Sequence, residues 1–219
     1  MVDRSAIGRS SHKKGSGYEL EVSKELTDWY NKTAKEPLDK AFYVVPRSGA
    51  YDWSVSMNVD GDVTADPEIN FNYLVECKRY ESWTIENLIK GNSHFPEWIA
   101  QSVREGINVG RVPLLVYRRN RVKTFITAPF NAKLTKEVDT YIVKTLSYKS
   151  ELDSYKEKIK TITFLLEDFV KIPYDKANHL YDGANWTKQV IKSKKKTKKK
   201  VTKDANSVAD DILERLRDL

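Results

Sequence analysis

The sequence predicts an α/β fold in which a central mixed sheet is flanked by helices and followed by a flexible basic C-terminal tail. Two observations lead to this prediction. Apolar residues recur at helical spacing over 17–34 and again, with one interruption, over 83–108. Segments rich in β-branched and aromatic residues predict strands at 41–47, 51–66, 70–80, 112–119 and 121–128. The resulting order of helix, three strands, helix and two strands is typical of the α/β class.

The composition is that of a protein with a hydrophobic core. Of 219 residues, 40% are hydrophobic and 11% aromatic, which excludes a wholly disordered chain. No stretch approaches the roughly 20 apolar residues of a membrane span, and the N-terminus lacks the apolar region of a secretory signal. The single cysteine, Cys77, excludes an intrachain disulfide and indicates a reducing compartment. We therefore expect an intracellular protein of the cytoplasm or nucleoid, or of the host-cell cytoplasm if it is viral, with no membrane partner.

Charge is unevenly distributed along the chain. The net charge is +7, but residues 188–203 hold nine lysines and no acid, so the rest of the chain is slightly acidic. Affinity for nucleic acid must then come from local patches and from this tail. We predict a flexible basic arm (1–15), a main domain (16–183, with a core of 16–130 and an extension of 131–183), a Lys-rich linker (184–205) and a short amphipathic docking helix (206–219).

The first helix is predicted from Tyr18, Val22, Leu26 and Trp29, which recur on one face. The clearest strand is 70–80, because its side chains alternate between two kinds of face. Tyr73, Val75 and Cys77 share one face, whereas Leu74, Glu76 and Lys78 share the other.

The second helical zone is broken at 91–96, where Pro96 suits the first turn of a new helix. The strands at 112–119 and 121–128 meet at Arg119-Asn120. Helical spacing fits 134–160, and 160–172 fits a strand or a helix equally well. On the final helix, Val208, Ile212, Leu216 and Leu219 form one apolar stripe.

Acids and one lysine on the predicted strands suggest phosphodiester chemistry. Glu76 and Lys78 share a strand face at a separation of about 7 Å, and Asp62 follows a turn signal. Carboxylate oxygens are the ligands that Mg²⁺ prefers, and a bound Mg²⁺ polarises a phosphate and lowers the pKa of its water. A nearby ammonium can stabilise the charge that develops on the phosphate. Asp62 and Glu76 are thus candidate metal ligands, and Lys78 is the candidate for the ammonium.

Asp62, a 13-residue gap and then Glu76-Cys77-Lys78 resemble the motif of the PD-(D/E)xK nuclease superfamily, with Gly61 where the motif has proline. Together with Glu19 on the first helix and Arg47-Ser48 after the first strand, the order of motifs is most similar to archaeal-type Holliday-junction resolvases and their viral relatives, over residues 13–128. The resemblance implies a restriction-endonuclease-like core and a Mg²⁺ cofactor that Mn²⁺ could replace. It also implies a metal site of Glu19, Asp62 and Glu76, and further catalytic roles for Lys78, Ser48 and Gln101.

Each of these residues also has a purely structural interpretation. Ser16-x-x-Glu19 matches a helix capping box, and Asp66 lies on the same strand face as Asp62 and competes with it as the ligand. Glu76 and Lys78 could form a surface ion pair. Arg47 and Ser48 could form an ordinary turn, and Gln101 could be an exposed helix residue.

Basic residues that could contact DNA phosphates lie at both ends of the chain and near the strands. The predicted set is Arg9, Lys13 and Lys14 in the arm, Arg47, Arg79, Arg118, Arg119 and Arg121 in the core, and Lys194, Lys195 and Lys196 in the tail. The alternative is that these charges are simply solvated. A polycation such as the tail binds a duplex through counterion release, without reading its sequence.

The sequence therefore predicts a Mg²⁺-dependent, structure-specific endonuclease that cuts branched DNA, similar to a Holliday-junction resolvase. The resemblance implies a homodimer, since a junction presents two symmetric strands. The first alternative is a related nuclease acting on duplex, flap or single-stranded DNA in replication, repair or packaging. The second is a non-catalytic DNA-binding or scaffolding module. The 206–219 helix is expected to dock on this chain, on a second copy or on a protein partner, because so short a helix is marginal alone.

Overall fold

The computed structural model describes residues 4–45, 61–150 and 156–192, and for residues 4–16 it describes the backbone alone. Three groups of predictions lie outside this part: Arg47, Ser48 and most of the strand predicted at 51–66; Lys194, Lys195 and Lys196; and the 206–219 helix. Those assignments stay predictions.

The chain alternates helices and strands, with most of the strands in its second half. The helices are α1 Arg4–Asn31, α2 Ile85–Lys90, α3 Phe95–Val109, α4 Leu166–Phe169 and α5 Tyr174–Asn178. Short 3₁₀ turns lie at Leu134–Lys136 and Trp186–Gln189. The strands are β1 Phe42–Val44, β2 Val63–Ala65, β3 Tyr73–Arg79, β4 Val112–Arg118, β5 Phe125–Pro129, β6 Tyr141–Lys149, β7 Lys156–Leu165 and β8 Ile191–Lys192.

The eight strands of the described residues belong to one mixed sheet, which confirms the predicted fold class. The order is β1-β2-β3-β4-β5-β7-β6, and β8 pairs with β7. Only β3 and β4 run parallel among these pairs, and α2 and α3 form the crossover between them. On β3, Cys77 faces α1 and Lys78 faces α3, so the two helices cover opposite faces of the sheet.

The extension after β5 packs against the core. The indole Nε1 of Trp29 on α1 donates to the carbonyl of Ile172 at 2.7 Å, and the hydroxyl of Tyr174 donates to the carbonyl of Asn70 at 2.6 Å. Asn178 Oδ1 accepts a hydrogen bond from the backbone N–H of Asn72 at 2.8 Å. Residues of the extension therefore satisfy polar groups of the segment that leads into β3.

The first helix is longer than predicted. It begins at Arg4, so the backbone of residues 4–15 is helical where a flexible arm was expected. Once a helix has nucleated, each added residue gains a hydrogen bond, and the Ser, Lys and Arg of this segment tolerate the helix. Because Ser16 lies inside α1 rather than at its start, the capping-box interpretation of Glu19 is wrong.

The helix suggested by spacing at 134–160 is also wrong, because β6 and β7 form an antiparallel pair there. Exposed side chains alternate along β6 with a period of two. The sequence does not show this period clearly, because polar residues lie on both faces of the strand. The undecided segment 160–172 continues β7 as far as Leu165 and then turns into α4.

The folded part also runs past the predicted boundary at 183. Trp186 is buried, and β8 pairs with β7 through Glu157–Lys192 and Lys158–Ile191. The apolar residues of this short segment give it surface to bury, so it packs on the body despite its position before the lysine run. No helix in the described part of the chain has the length and apolar character needed to cross a bilayer.

Candidate active site

Three predicted residues meet in hydrogen-bond contact where β3 faces α3. The Glu76 side chain is 1% exposed, and Lys78 Nζ donates to its Oε1. Gln101 on α3 donates through Nε2 to the same oxygen at 2.6 Å and accepts from Lys78 Nζ through its Oε1 at 3.0 Å. The amide of Gln101 therefore orients both the carboxylate and the ammonium. Because Glu76 is buried, its ion pair with Lys78 is not a surface ion pair.

Asp62 reaches the same strand from β2. Its backbone N–H donates to the carbonyl of Val75 at 2.8 Å, and its Oδ2 accepts from the backbone N–H of Cys77 at 2.8 Å. The preceding Gly61 has φ of +88°, and a Cβ there would lie 2.7 Å from the Val75 carbonyl oxygen. Glycine thus permits the close approach that holds Asp62 beside β3.

Asp66 is held elsewhere. Its Oδ2 accepts from the hydroxyl of Tyr43 at 3.1 Å, and its Oδ1 accepts from the backbone N–H of Glu68 at 3.0 Å. Asp62 precedes β2 and Asp66 follows it, so the two acids lie at opposite ends of the strand. The structure places Asp62, rather than Asp66, beside the Glu76 strand.

Burial and a second negative charge act together on Glu76. Burial, followed by repulsion from Asp62, raises the pKa of Glu76 to about 8, and the attraction of Lys78 opposes both. Two buried carboxylates of like charge favour proton uptake by one of them, or the binding of a cation between them.

Glu19 lies buried on α1, which covers the opposite face of β3. Burial raises the pKa of the Cys77 thiol, and the charges of Asp62, Glu76 and Glu19 raise it further. Glu19 is therefore electrostatically coupled to the residue between Glu76 and Lys78. Its role as a third metal ligand stays a prediction.

The basic residues form a depression at the ends of β3 and β4. Arg79, Arg119, Arg121 and Lys123 line it, together with Arg118. Arg118 forms a two-point ion pair with Glu21 of α1 and lies over the ring of Tyr18, so its charge is already neutralised. Arg79, Arg119 and Arg121 form no ion pair within the described residues. The side chains of Arg9, Lys13 and Lys14 lie outside the described part.

The sequence analysis missed Glu105. Its Oε1 accepts from Gln101 Nε2 at 3.1 Å, and its charge adds to the effects that raise the pKa of Glu76. The sequence does contain a signal for Glu105: it lies four residues after Gln101, and this spacing places both side chains on one face of α3.

The donor set fits a hard divalent cation. Asp62 and Glu76 offer oxygen ligands alone, and besides burial, the charge of Asp62 contributes to the raised pKa of Glu76. Within the described residues no group of three His, Cys, Asp or Glu side chains is close enough to hold a metal by itself. Mg²⁺ does not require such a group, since it is usually bound by one or two carboxylates together with water and substrate phosphate.

An acid before one strand, with Glu-x-Lys on the next strand of a mixed sheet, defines a nuclease of the PD-(D/E)xK superfamily. Within that superfamily the chain belongs to the family described as "Phage putative PDDEXK endonuclease", whose model matches residues 10–179. The match extends well past β5, so the family includes the extension as well as the core. Nucleases of this superfamily generally use divalent metals. Searches of curated proteins and of solved structures gave no match.

Proposed function

We propose that the protein is a Mg²⁺-dependent DNA endonuclease that hydrolyses phosphodiester bonds in branched DNA, similar to a Holliday-junction resolvase. The observation that best supports the nuclease chemistry is the contact of Glu76, Lys78 and Gln101 on one face of β3, with Asp62 bonded to the backbone of the same strand. The junction preference rests on the order of the sequence motifs.

Asp62 and Glu76 would hold the metal, with water and substrate phosphate completing its coordination, because the described residues do not bring Glu19 close enough to these two acids to form a three-acid site. When bound, Mg²⁺, or Mn²⁺ in its place, polarises the scissile phosphate and lowers the pKa of a coordinated water. Glu76 would have to be ionised to hold the metal, and burial raises its pKa, so metal affinity would increase with pH.

Lys78 has two roles in this proposal. In the free protein its ammonium partly neutralises Glu76 and is held by Gln101. With substrate bound, the same ammonium lies where it can orient the attacking water and stabilise the charge that develops on the phosphate oxygens. Gln101 acts as a positioning residue, because it contacts both Glu76 and Lys78.

DNA would approach along the basic depression at the ends of β3 and β4, where Arg79, Arg119 and Arg121 supply positive charge. The lysines of the tail and the N-terminal residues Arg9, Lys13 and Lys14 would extend this contact. We further propose a homodimer, because two symmetric strands of a junction need two symmetric sites. Activity on DNA would place the protein in an intracellular compartment such as the host-cell cytoplasm.

The test is cleavage of a labelled four-way junction and of a linear duplex made from the same sequences, each with Mg²⁺ and with EDTA. Wild type is compared with Glu76→Gln, Asp62→Asn and Asp66→Asn. We expect paired, symmetric, Mg²⁺-dependent cuts in the junction alone, lost in the first two variants and retained in Asp66→Asn, which is the matched control.

Other results would change the proposal in defined ways. Cutting of the linear duplex, a flap or a single strand at equal rate would retain the nuclease and overturn the junction preference. Loss of cutting in Asp66→Asn but not in Asp62→Asn would overturn the assignment of the ligand. Tight DNA binding with no cleavage in Mg²⁺ or Mn²⁺ would favour a scaffolding role.

A further inference from the structure

An aromatic pair with one exposed ring, Tyr80, and one half-buried ring, His94, borders the site just described. Tyr80, which follows β3, is 43% exposed, and its ring centroid lies 4.3 Å from that of His94. The His94 ring in turn stacks on Trp98 with an interplanar angle of 17° and a centroid distance of 5.7 Å. Trp98 is buried, so the His94 ring stacks on a residue that the core holds in place. The His94 ring in turn contacts the Tyr80 ring. The outer ring is held in place although it faces solvent.

This aromatic pair lies on the same side of the sheet as the catalytic residues. Tyr80 and Lys78 are two residues apart, roughly 7 Å along an extended chain. Both contact α3: Tyr80 packs on Trp98, and Lys78 bonds to Gln101, one turn further along the helix. The backbone N–H of Tyr80 also donates to the carbonyl of Arg118 at 3.2 Å, which joins the pair to the basic depression.

Tyr141, a second tyrosine that is exposed among the described residues, has a different position. Tyr141 is also 43% exposed but belongs to β6, which β4, β5 and β7 separate from β3. An aromatic ring beside both a phosphate-cleaving site and a cationic depression has the two components of a single-strand binding surface. The cations hold the backbone, and the ring stacks on a base.

We propose that the Tyr80–His94 pair stacks on an unpaired nucleobase next to the cleaved phosphate, and that the protein therefore selects DNA with an unpaired nucleotide at that position. The proposal rests on the proposed function for its substrate, DNA. In an intact duplex both faces of each base are covered by their neighbours, so the stacking contact forms only at a branch point, a mismatch or a single strand. The pair thus acts as a selectivity element and takes no part in the chemical step.

The test measures binding in EDTA, where no cleavage occurs. The probes are a single-stranded oligonucleotide, the matching duplex, and that duplex with one unpaired 2-aminopurine, each titrated with the full-length protein. The variants are Tyr80→Ala and Tyr80→Phe, with Tyr141→Ala as the matched control. We expect Tyr80→Ala to weaken binding of both unpaired probes about 5- to 100-fold while duplex affinity changes less than about twofold. Tyr80→Phe and Tyr141→Ala should behave as wild type.

In the wild type, 2-aminopurine fluorescence should be quenched on binding, and Tyr80→Ala should remove that quenching. If Tyr80→Ala loses affinity equally for duplex and unpaired probes, or loses none for either, the stacking proposal is overturned. It is also overturned if the wild type binds the unpaired probes no better than the duplex. Because the binding assay needs no metal, it is independent of the nuclease assignment. Selective binding of unpaired DNA without cleavage would overturn only the proposed reaction. Cleavage without selectivity for unpaired DNA would overturn only the stacking proposal.

Discussion

Glu76 carries a pKa of about 8 because it is buried and because Asp62 opposes its charge. Ionisation of Glu76 therefore destabilises the free protein, first because the charge is buried and second because Asp62 repels it. Conflicts of this kind are concentrated at functional sites, since the same groups that destabilise the free protein bind the cation or substrate.

Replacing Glu76 with glutamine should stabilise the metal-free protein while abolishing cleavage. Both donors to Glu76 contact Oε1, so a glutamine carbonyl oxygen can accept both bonds. The folded-state pKa lies above the unfolded value, so protonation of Glu76 stabilises the fold at low pH, and that contribution is lost as the pH rises towards 8. We expect a gain of about 1–2 kcal/mol at pH 9 that shrinks towards pH 5.

Urea denaturation in EDTA across this pH range measures the difference. Glu68→Gln, at an exposed position, controls for the loss of one negative charge. A glutamine variant less stable than wild type at pH 9 would show that Glu76 is not under electrostatic strain.

Lys78 and Gln101 should differ in the size of their effects on cleavage. Lys78→Ala removes a group proposed to stabilise developing charge, and a loss of about 10²- to 10³-fold in kcat is expected. Gln101→Ala removes a positioning residue, and about 10- to 100-fold is expected. Single-turnover cleavage with saturating protein measures the loss of rate in each variant. The control is Gln189→Ala, which replaces a half-buried glutamine on the second 3₁₀ turn. Equal effects would contradict the division of roles.

At the scale of elements, the turn into β2 depends on Gly61. A side chain there would meet the Val75 carbonyl oxygen at 2.7 Å in addition to straining a φ of +88°. Gly61→Ala should destabilise the fold by about 1–3 kcal/mol and also lower cleavage, because the clash displaces Asp62.

The matched variant is Gly183→Ala, because Gly183 has φ of +73° but a Cβ there would meet no atom within 4 Å. It should cost about 1 kcal/mol from backbone strain alone and leave cleavage unchanged. Comparing the thermal unfolding of the two variants isolates the steric part of the loss of stability. Equal losses of stability would show that the contact with β3 has no energetic importance.

The ion pair between α1 and β4 distinguishes the arginines that we propose to contact DNA. Arg118 is paired with Glu21, whereas Arg121 is exposed on the turn before β5. Arg121→Ala should reduce the salt dependence of DNA binding by about one counterion, and Arg118→Ala should reduce it by less. Titrations of DNA binding against salt concentration in EDTA give the slopes. A larger effect from Arg118 would show that DNA displaces Glu21.

At the scale of the whole molecule, the extension and the core are expected to fold as one unit. β7 pairs with β5, and Trp29 and Asn72 bond to residues of the extension. A chain ending at residue 130 should therefore lose cooperative thermal unfolding, because β5 keeps β4 but loses its second partner β7, and the core loses Ile162 and Phe164. A chain ending at Lys192 should unfold as cooperatively as the full chain. Circular dichroism during heating tests both, and a cooperative transition in the shorter chain would separate the two parts.

Much of the fold and site could be predicted from the sequence where the signal is local. The apolar spacing of α1 and the alternation of β3 are produced by the residues themselves, and Glu-x-Lys places two side chains on one strand face. The β6–β7 pair was missed because its polar side chains fit two periods equally well, and only pairing with β5 favours the strand. Glu105 was missed because its effect depends on contact with Gln101.

What the sequence by itself determined was the class of the protein: an α/β fold with a PD-(D/E)xK motif, its acids and lysine on identifiable strands. These features depend on residue type and on spacing within single elements. Only the tertiary structure decided that Asp62 rather than Asp66 lies beside Glu76, that Arg118 is neutralised by Glu21, and that Tyr80 borders the site. Those outcomes depend on which distant segments meet, and the energy that brings them together comes from burial and pairing across the whole sheet.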